Sequence, residues 1–240
     1  MNNTQTLEKM SSMRLLGMKN AFETVLQSRQ SFTSDELAAY LTEAEWNSRE
    51  ERKIQRYLTQ AKFRYQATIE ELDFRGERKL DKNQVIRLAD CSFISKRENV
   101  LLTGATGTGK SFLASALGHQ ACIKGYKVAY FSTGKLFSKL KMARADATSH
   151  KLIYRIEKID LLILDDFGLW PFDHQAQLDL LEMIEDRHGR RSTIIASQVP
   201  VSAWYDLIKE KTIADAVLDR IVHSAHRIEL KEPSMRRRKK

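Results

Sequence analysis

The stretch Gly104-Ala105-Thr106-Gly107-Thr108-Gly109-Lys110-Ser111 limits what this chain can fold into more than any other. Its glycines let the backbone turn tightly, so that successive N–H groups point inward at one anion. Lys110 adds a cation able to reach β- and γ-phosphates, and Ser111 adds a hydroxyl that can ligate Mg2+. A helix opening at this point contributes its positive end. The arrangement needs an apolar strand before it and an amphipathic helix after it. Asn99–Thr103 reads as that strand, and Ser111–Lys124 as that helix, with Phe112, Leu113, Ala116 and Leu117 turned inward. A glycine-rich turn arising by chance has no reason to sit in this frame. The stretch from Gly104 to Phe112 therefore implies an ATP-binding P-loop.

The sequence after it alternates strand and helix. Strands are expected at Lys127–Ser132, Leu161–Leu164, Thr193–Ala196 and Ile228–Leu230, and helices over Lys135–Ile159 (for the most part), Gln175–His188 and Ala214–Val222. Such alternation makes a mainly parallel five-stranded sheet covered by helices on both faces, an α/β fold. Leu161-Leu162-Ile163-Leu164 ends in Asp165-Asp166. At the tip of a strand in a P-loop fold, Asp165 is placed to complete a Mg2+ shell with Ser111, and Asp166 to orient and polarise the attacking water. A turn or helix cap is the plainer use of paired aspartates, and the apolar strand before them argues against it. One complete βα unit fits between Lys110 and Asp165, which suits motor-type ATPases, in which another strand separates the P-loop strand from the Mg2+ strand. Ile194-Ile195-Ala196 delivers Ser197 and Gln198 to the same sheet edge, either as a γ-phosphate sensor or as ordinary strand-end polar residues. Asp219-Arg220 offers either an arginine for a neighbouring subunit's reaction or a local surface pair.

Ahead of this lies a segment that reads as helical. Leu7, Met10, Arg14, Leu15, Met18, Phe22, Val25 and Leu26 keep a 3–4 spacing through Gln27. After a polar break, Ser34 is the expected N-cap, with Asp35 and Glu36 in the first turn. Leu37, Leu41, Ala44, Ile54, Leu58, Ala61 and Tyr65 then share one face, with Arg49, Arg52, Lys53 and Arg56 on the exposed side. The pattern loosens around Asp73–Asp81, so a small all-helical domain is expected over residues 1–75 and the ATPase domain over 76–240.

The formal net charge of +9 is unevenly placed. Residues 124–158 hold nine Lys/Arg against Asp146 and Glu157, and residues 227–240 hold seven against Glu229 and Glu232. Two basic concentrations fit a polyanion such as nucleic acid, whose phosphates release counterions on neutralisation; a solvated surface is the plainer use. Within the first of them Lys135, Lys139, Lys141 and Arg144 fall on adjacent helical stripes and are candidates for tracking DNA phosphates. No run of 18 apolar residues and no signal-peptide pattern occurs, so no membrane partner is expected. Cys91 and Cys122 lack metal-ligand spacing and read as reduced packing residues of a cytoplasmic protein. His223 and His226, with no supporting Cys or carboxylate cluster, do not argue for a metal site.

With these residues in view, the chain resembles IstB-type helper ATPases of insertion-sequence transposons, relatives of DnaC helicase loaders within the AAA+ group. The resemblance runs from Leu15-Leu16-Gly17-Met18 and Leu41-Thr42-Glu43-Ala44-Glu45, through the ATP site, to Ile213-Ala214-Asp215-Ala216-Val217-Leu218-Asp219-Arg220-Ile221-Val222-His223. Ala225-His226-Arg227-Ile228-Glu229-Leu230 and Ser234-Met235-Arg236 extend it. It implies an ATPase that self-associates into an ATP-dependent oligomer, binds duplex DNA, and helps the transposase encoded by the same element select and engage target DNA. On the family's pattern Lys110 and Ser111 bind MgATP and Asp165 ligates Mg2+. Asp166 stands where many AAA+ proteins carry glutamate. Gln198 corresponds to the first sensor, with Ser197 beside it, Arg220 to the trans arginine and Arg236 to a second sensor. Ala105 replaces a frequent proline and Thr108 a frequent valine, neither of which removes a phosphate contact. Little or no lid domain is expected after Arg236.

A DnaC-like replicative helicase loader would share the ATPase but prefer single strands, for which few exposed aromatic stacking candidates stand out in the basic regions. A P-loop small-molecule kinase fits the Asp165-Asp166 tip, Ser197-Gln198 and Asp219-Arg220 less well. A non-hydrolysing DNA-binding adaptor would have no need of the complete ATP-site set. Strand transfer itself belongs to a different chain, since no separate acidic triad is visible.

Overall fold

The computed structural model describes residues 2–28, 31–74 and 80–231. Their contacts separate into two compact units, Met1–Arg56 and Tyr57–Lys240.

In the first unit, Asn3–Ser12 (α1) begins behind Asn2, whose side chain accepts from Thr4 N at 3.3 Å. The helical spacing predicted up to Gln27 is interrupted at Arg14, where φ is 59°, before Leu16–Gln27 (α2). Ser34–Ala61 (α3) follows, and its last turn, from Tyr57, belongs with the second unit. Its cap is Thr33 rather than the expected Ser34. Glu36 N donates to Thr33 Oγ1 at 3.3 Å, and the Glu36 carboxylate accepts from Thr33 N at 2.8 Å, a reciprocal capping box.

No side chain of its own caps α2. The buried Glu45 of α3 fills that role, accepting from Gly17 N at 2.9 Å and Met18 N at 3.1 Å. Arg49 Nε at 2.7 Å and Arg52 Nη2 at 3.3 Å complete its shell, so these two arginines of the exposed side serve the packing as well. A Cβ on Gly17 would lie 2.3 Å from Ala44 O, so only glycine lets the two helices approach this closely.

The second unit starts with buried residues that the sequence pattern places in the N-terminal helical domain. Tyr57, Ala61, Ala67 and Leu72 sit in the same core as the sheet, with Leu58, Phe63, Ile69 and Phe74 packed against it. The contacts therefore divide near residue 57, whereas the boundary expected from the sequence lies near 75; residues 75–79 are outside the described set. The elements that follow are Lys82–Ala89 (α4), Ser92–Ser95 (α5), Asn99–Gly104 (β1), Lys110–Ile123 (α6), Val128–Ser132 (β2), Thr133–Ala145 (α7) and Ser149–Glu157 (α8). Then come Leu161–Phe167 (β3), His174–Arg187 (α9), Ser192–Ser197 (β4), a 3-10 turn at Val201–Ala203, Trp204–Leu207 (α10), Lys211–Val222 (α11) and Ala225–Leu230 (β5). The helix expected over Lys135–Ile159 is two helices, because Ala147 takes a φ of 54° between them.

The sheet order is β2-β3-β4-β1-β5, and every pairing is parallel. Strand alternation sends Leu161 and Ile163 to one face, where they meet Leu113 and Leu117 of α6 and Val85 of α4. Leu162 and Leu164 face the other side, against Leu136 and Leu140 of α7, Leu180 and Met183 of α9, and Val217 and Ile221 of α11. Both faces being covered explains why Leu161–Leu164 of β3 and Ile194–Ala196 of β4 are unbroken apolar runs. As expected, β4 separates the P-loop strand β1 from the carboxylate strand β3.

The Arg187 side chain is buried against the strand entrances. Its guanidinium donates to Ile156 O and Ile159 O, both at 2.8 Å, and to Ser192 O at 2.5 Å. Burial, helped by the nearby charge of Arg191, pulls it down to about 9.

Glu45 makes the clearest stability prediction. Burial pushes its carboxyl up, but hydrogen bonds from Arg49 and from the Met18 and Gly17 N–H groups outweigh this and hold it below the ordinary range. Its contribution is therefore complete above the ordinary glutamate pKa and is lost as pH falls through the lowered folded value. Replacing Glu45 by Ala is expected to cost about 1–3 kcal/mol at neutral pH and nearly nothing in strong acid. Urea titrations followed by helical circular dichroism at the two pH values check both parts.

Candidate nucleotide site

The loop between β1 and α6 is shaped by glycine backbone. Gly104, Gly107 and Gly109 have φ of 147°, 84° and 97°, values that side-chain-bearing residues rarely adopt. At Gly104 the lack of a side chain is also a matter of space, because a Cβ there would lie 2.3 Å from Leu230 O on β5. Thr108 is buried and closes the loop, its Oγ1 donating to Ala105 O at 3.0 Å. Lys110, the first residue of α6, is nearly buried, and its Nζ donates to Gly104 O and Ala105 O at 2.7 Å each. Burial lowers its pKa, against the opposing pull of Asp165 and Asp166. A cation so placed, next to a helix start and three glycine turns, fits a polyphosphate.

The carboxylates come from β3, two strands away. Pairing runs Leu164↔Ile195 and resumes at Phe167↔Ser197, so β3 carries one residue more than β4 over this interval. That bulge puts Asp166 at φ 57° and turns its side chain away from the strand's regular alternation. Asp165 is 1% exposed. Its Oδ1 accepts from Ser111 Oγ at 3.0 Å, its Oδ2 from the Tyr130 hydroxyl and from Arg64 Nη1 at 3.2 Å, and its carbonyl from Thr133 Oγ1 at 2.8 Å. The same Arg64 nitrogen lies 3.0 Å from Asp166 Oδ2. Burial, and then the adjacent Asp165 carboxylate, push the Tyr130 hydroxyl far above its usual pKa, so it remains a donor. Ser111 Oγ and Asp165 Oδ1 form a hard oxygen pair beside the glycine loop, a donor chemistry that suits Mg2+, and are the residues able to hold it.

Gln198 joins the same edge: Thr106 Oγ1 donates to Gln198 Oε1 at 2.6 Å. Ser197 does not. It is buried, donates to Phe167 O at 2.7 Å and accepts from Val199 N at 3.0 Å, which ties off the bulge. Phe112 packs against the core on the α6 side, 6.1 Å from the Tyr65 ring. Lys110, Ser111, Asp165, Asp166, Thr106 and Gln198 thus gather at the C-terminal ends of β1, β3 and β4.

Arg220 lies elsewhere. Asn99 opens β1, and its Nδ2 donates to the Arg220 and Ile221 carbonyls at 3.3 and 3.2 Å, which puts Arg220 at the entrance of the strand whose exit carries the P-loop. The local pair is with Glu185 at 2.8 Å rather than with Asp219. Arg220 lines a basic cavity of about 410 Å³ with Lys96, Arg97, Arg187 and Arg191. Of the four candidate DNA residues on α7, all are exposed, but Lys141 lies 3.9 Å from Asp173 and Arg144 is paired with Asp179 of α9. Lys135 and Lys139 make no ion pair among the described residues. Arg236 lies outside the described residues.

Arg64 and Tyr130 were not singled out from the sequence. The only local cue was the alternation Phe63-Arg64-Tyr65, a charged residue between aromatics, which has many ordinary explanations.

The family model described as IstB-like ATP binding protein matches residues 8–240. An insertion sequence ATP-binding protein of Sinorhizobium fredii (strain NBRC 101917 / NGR234) is 45% identical over 234 residues, covering 97% of this chain and 96% of the relative. The ATP-binding protein of insertion sequence IS1162 from Pseudomonas fluorescens is 42% identical over 200 residues, 82% of this chain and 87% of the relative. Among solved structures, the DnaC helicase loader aligns with a TM-score of 0.56 at 18% identity, over 74% of this chain and 99% of that one. The replication initiator DnaA bound to AMPPCP and single-stranded DNA gives 0.60 at 20%, over 72% and 52%. The structural likenesses show a shared α/β fold. The sequence matches carry more, and on them this chain belongs to the family of IstB-like ATP-binding proteins.

Proposed function

We propose that the chain is a Mg2+-dependent ATPase that binds duplex DNA as an ATP-assembled oligomer. In this reading it works in the cytoplasm and assists the transposase of its own insertion sequence in engaging target DNA. The observation that carries the reading is the division of the reactive set. Lys110, Ser111, Asp165, Asp166 and Gln198 meet at one end of the parallel sheet, whereas Arg220 sits at the other end in a basic cavity. A parallel sheet separates strand entrances from strand exits by the strand length, so one molecule does not bring Arg220 to its own P-loop. Two copies packed exit to entrance do.

In such an assembly the loop amides and Lys110 hold the phosphates, and Asp166 and Gln198 orient the attacking water. Arg220 of one copy stabilises charge on the phosphoryl group held by the next. Mg2+, held by Ser111 and Asp165, supplies charge neutralisation at the phosphates. The transposition role is supported by the relatives, which are described as insertion sequence proteins. The fold shared with a helicase loader keeps the loader reading as the second one. Among the described residues no helix is long and apolar enough to cross a membrane.

Two outcomes are expected. Arg220→Ala lowers turnover roughly 10³-fold or more with little change in nucleotide affinity. Mixing it with Lys110→Ala, which retains Arg220, restores a measurable fraction, because a mixed interface has one intact P-loop facing one intact arginine. A mixture no more active than its parts contradicts the trans arrangement. For DNA, Lys135→Ala with Lys139→Ala should weaken duplex binding alike for all sequences. It should also flatten the log–log salt dependence by roughly one unit per lost contact. Lys141→Ala with Arg144→Ala should change the slope less, since these cations already have carboxylate partners. Equal salt slopes for the Lys135/Lys139 variant and the unaltered protein would remove α7 from the DNA contact.

A further inference from the structure

Arg64 lies outside every motif of the chain, yet it touches both carboxylates of β3. Its Nη1 is 3.2 Å from Asp165 Oδ2 and 3.0 Å from Asp166 Oδ2. The oxygens of Asp165 are divided by this contact. Oδ1 faces Ser111, while Oδ2 is taken by Arg64 and the Tyr130 hydroxyl. The side chain is held in place through its neighbours. The Phe63 ring meets Tyr130 edge-on at 6.3 Å and fills the space a Cβ on Gly118 would need, with Phe63 Cε1 2.5 Å from that position. Tyr65 leans on Phe112, 6.1 Å away, in the first turn of α6. Residues 63 and 65 are thus pinned to the elements that build the site, and Arg64 projects between them. Its side chain remains 42% exposed.

From this geometry we propose that Arg64 is a positioning residue for hydrolysis: by clamping Asp165 Oδ2 and Asp166 Oδ2 it keeps Asp165 Oδ1 toward Ser111 and fixes Asp166 for the attacking water. The proposal rests on the ATPase reading above. Outer partners of metal-ligating carboxylates orient the ligand, and their loss typically changes affinity or activity roughly 10–100-fold. Arg64 differs from a neutral partner because its charge competes with a metal for the same carboxylate. Removing it should therefore act in opposite directions on two measurable quantities. Metal affinity should rise, since a cation competing for Asp165 Oδ2 is gone, while turnover should fall, since both carboxylates lose their orientation. A residue that merely supported the fold would lower both, and a latch that blocked the metal would raise both.

The experiment compares the full chain with its Arg64→Ala and Arg64→Gln variants. Mn2+ binding is measured by electron paramagnetic resonance with saturating ADP, ATP affinity in EDTA with a fluorescent ATP analogue, and steady-state turnover at saturating Mg2+. The expected result is Mn2+ binding several-fold tighter, an unchanged analogue affinity, and kcat lower by roughly 10–100-fold. Arg64→Lys, which keeps the charge but carries it on a shorter side chain with a freely rotating ammonium, should return Mn2+ affinity to the unaltered level while recovering only part of kcat. Unchanged kcat, faster turnover, or weakened binding of both Mn2+ and the analogue would overturn the positioning role. Failure of the unaltered protein to bind the analogue would instead overturn the ATPase reading, and this inference with it.

Discussion

A carboxylate with almost no access to solvent is costly unless every lone pair is used, and Asp165 is such a group. Its oxygens receive Ser111 from α6, Tyr130 from β2 and Arg64 from the segment after α3, while Thr133 from α7 holds its carbonyl. Each donor arrives on a different element, so the position of Asp165 records the mutual placement of most of the second unit. The dependence also runs the other way. A shift of β2 or of the residue 62–65 segment alters what Asp165 accepts, and hence the oxygen it presents beside the phosphate loop.

The sheet order gives this cluster its range. With β4 between β1 and β3, the loop and the carboxylates are separated by the width of one strand, which makes room for Gln198 between them at the end of β4. The bulge at Asp165-Asp166 then redirects the second carboxylate, at the cost of a left-handed backbone that aspartate tolerates better than most residues. Ser197, which sequence alone placed beside Gln198 as a possible sensor, instead closes that bulge on Phe167. The two adjacent polar residues at the end of β4 therefore point to different partners, Ser197 to the bulge and Gln198 to Thr106 of the loop.

What could be read from the sequence was what consecutive residues determine. The P-loop, the strand ending in Asp165-Asp166 and the strand–helix alternation are local patterns, and the fold follows from them. Missed features depended on partners far away in the chain. Arg64 meets Asp165 across 101 residues, and nothing near Arg64 signals it. The bulge appears only against the register of β4. The helical pattern from Lys135 continues past Ala147, where the backbone reverses its φ. The tract 57–74 reads as part of the N-terminal helical domain, with the face of α3 running on to Tyr65, yet α3 ends at Ala61 and residues such as Tyr57, Ala61, Ala67 and Leu72 join the sheet's core. Leu15-Leu16-Gly17-Met18 and Leu41-Thr42-Glu43-Ala44-Glu45 looked like separate stretches. They are one contact, Gly17 against Ala44 and Glu45.

The claim at the centre of this account is that nucleotide held by Gly104–Ser111 governs the engagement of duplex DNA. Fluorescence anisotropy of labelled duplex and single-stranded DNA tests it most directly, with ATP, ADP or no nucleotide, near physiological salt and with Lys110→Ala alongside. The account predicts tight duplex binding that requires ATP and vanishes in the variant. Binding indifferent to nucleotide, or a clear preference for single strands, would contradict it and direct attention to the helicase-loader reading.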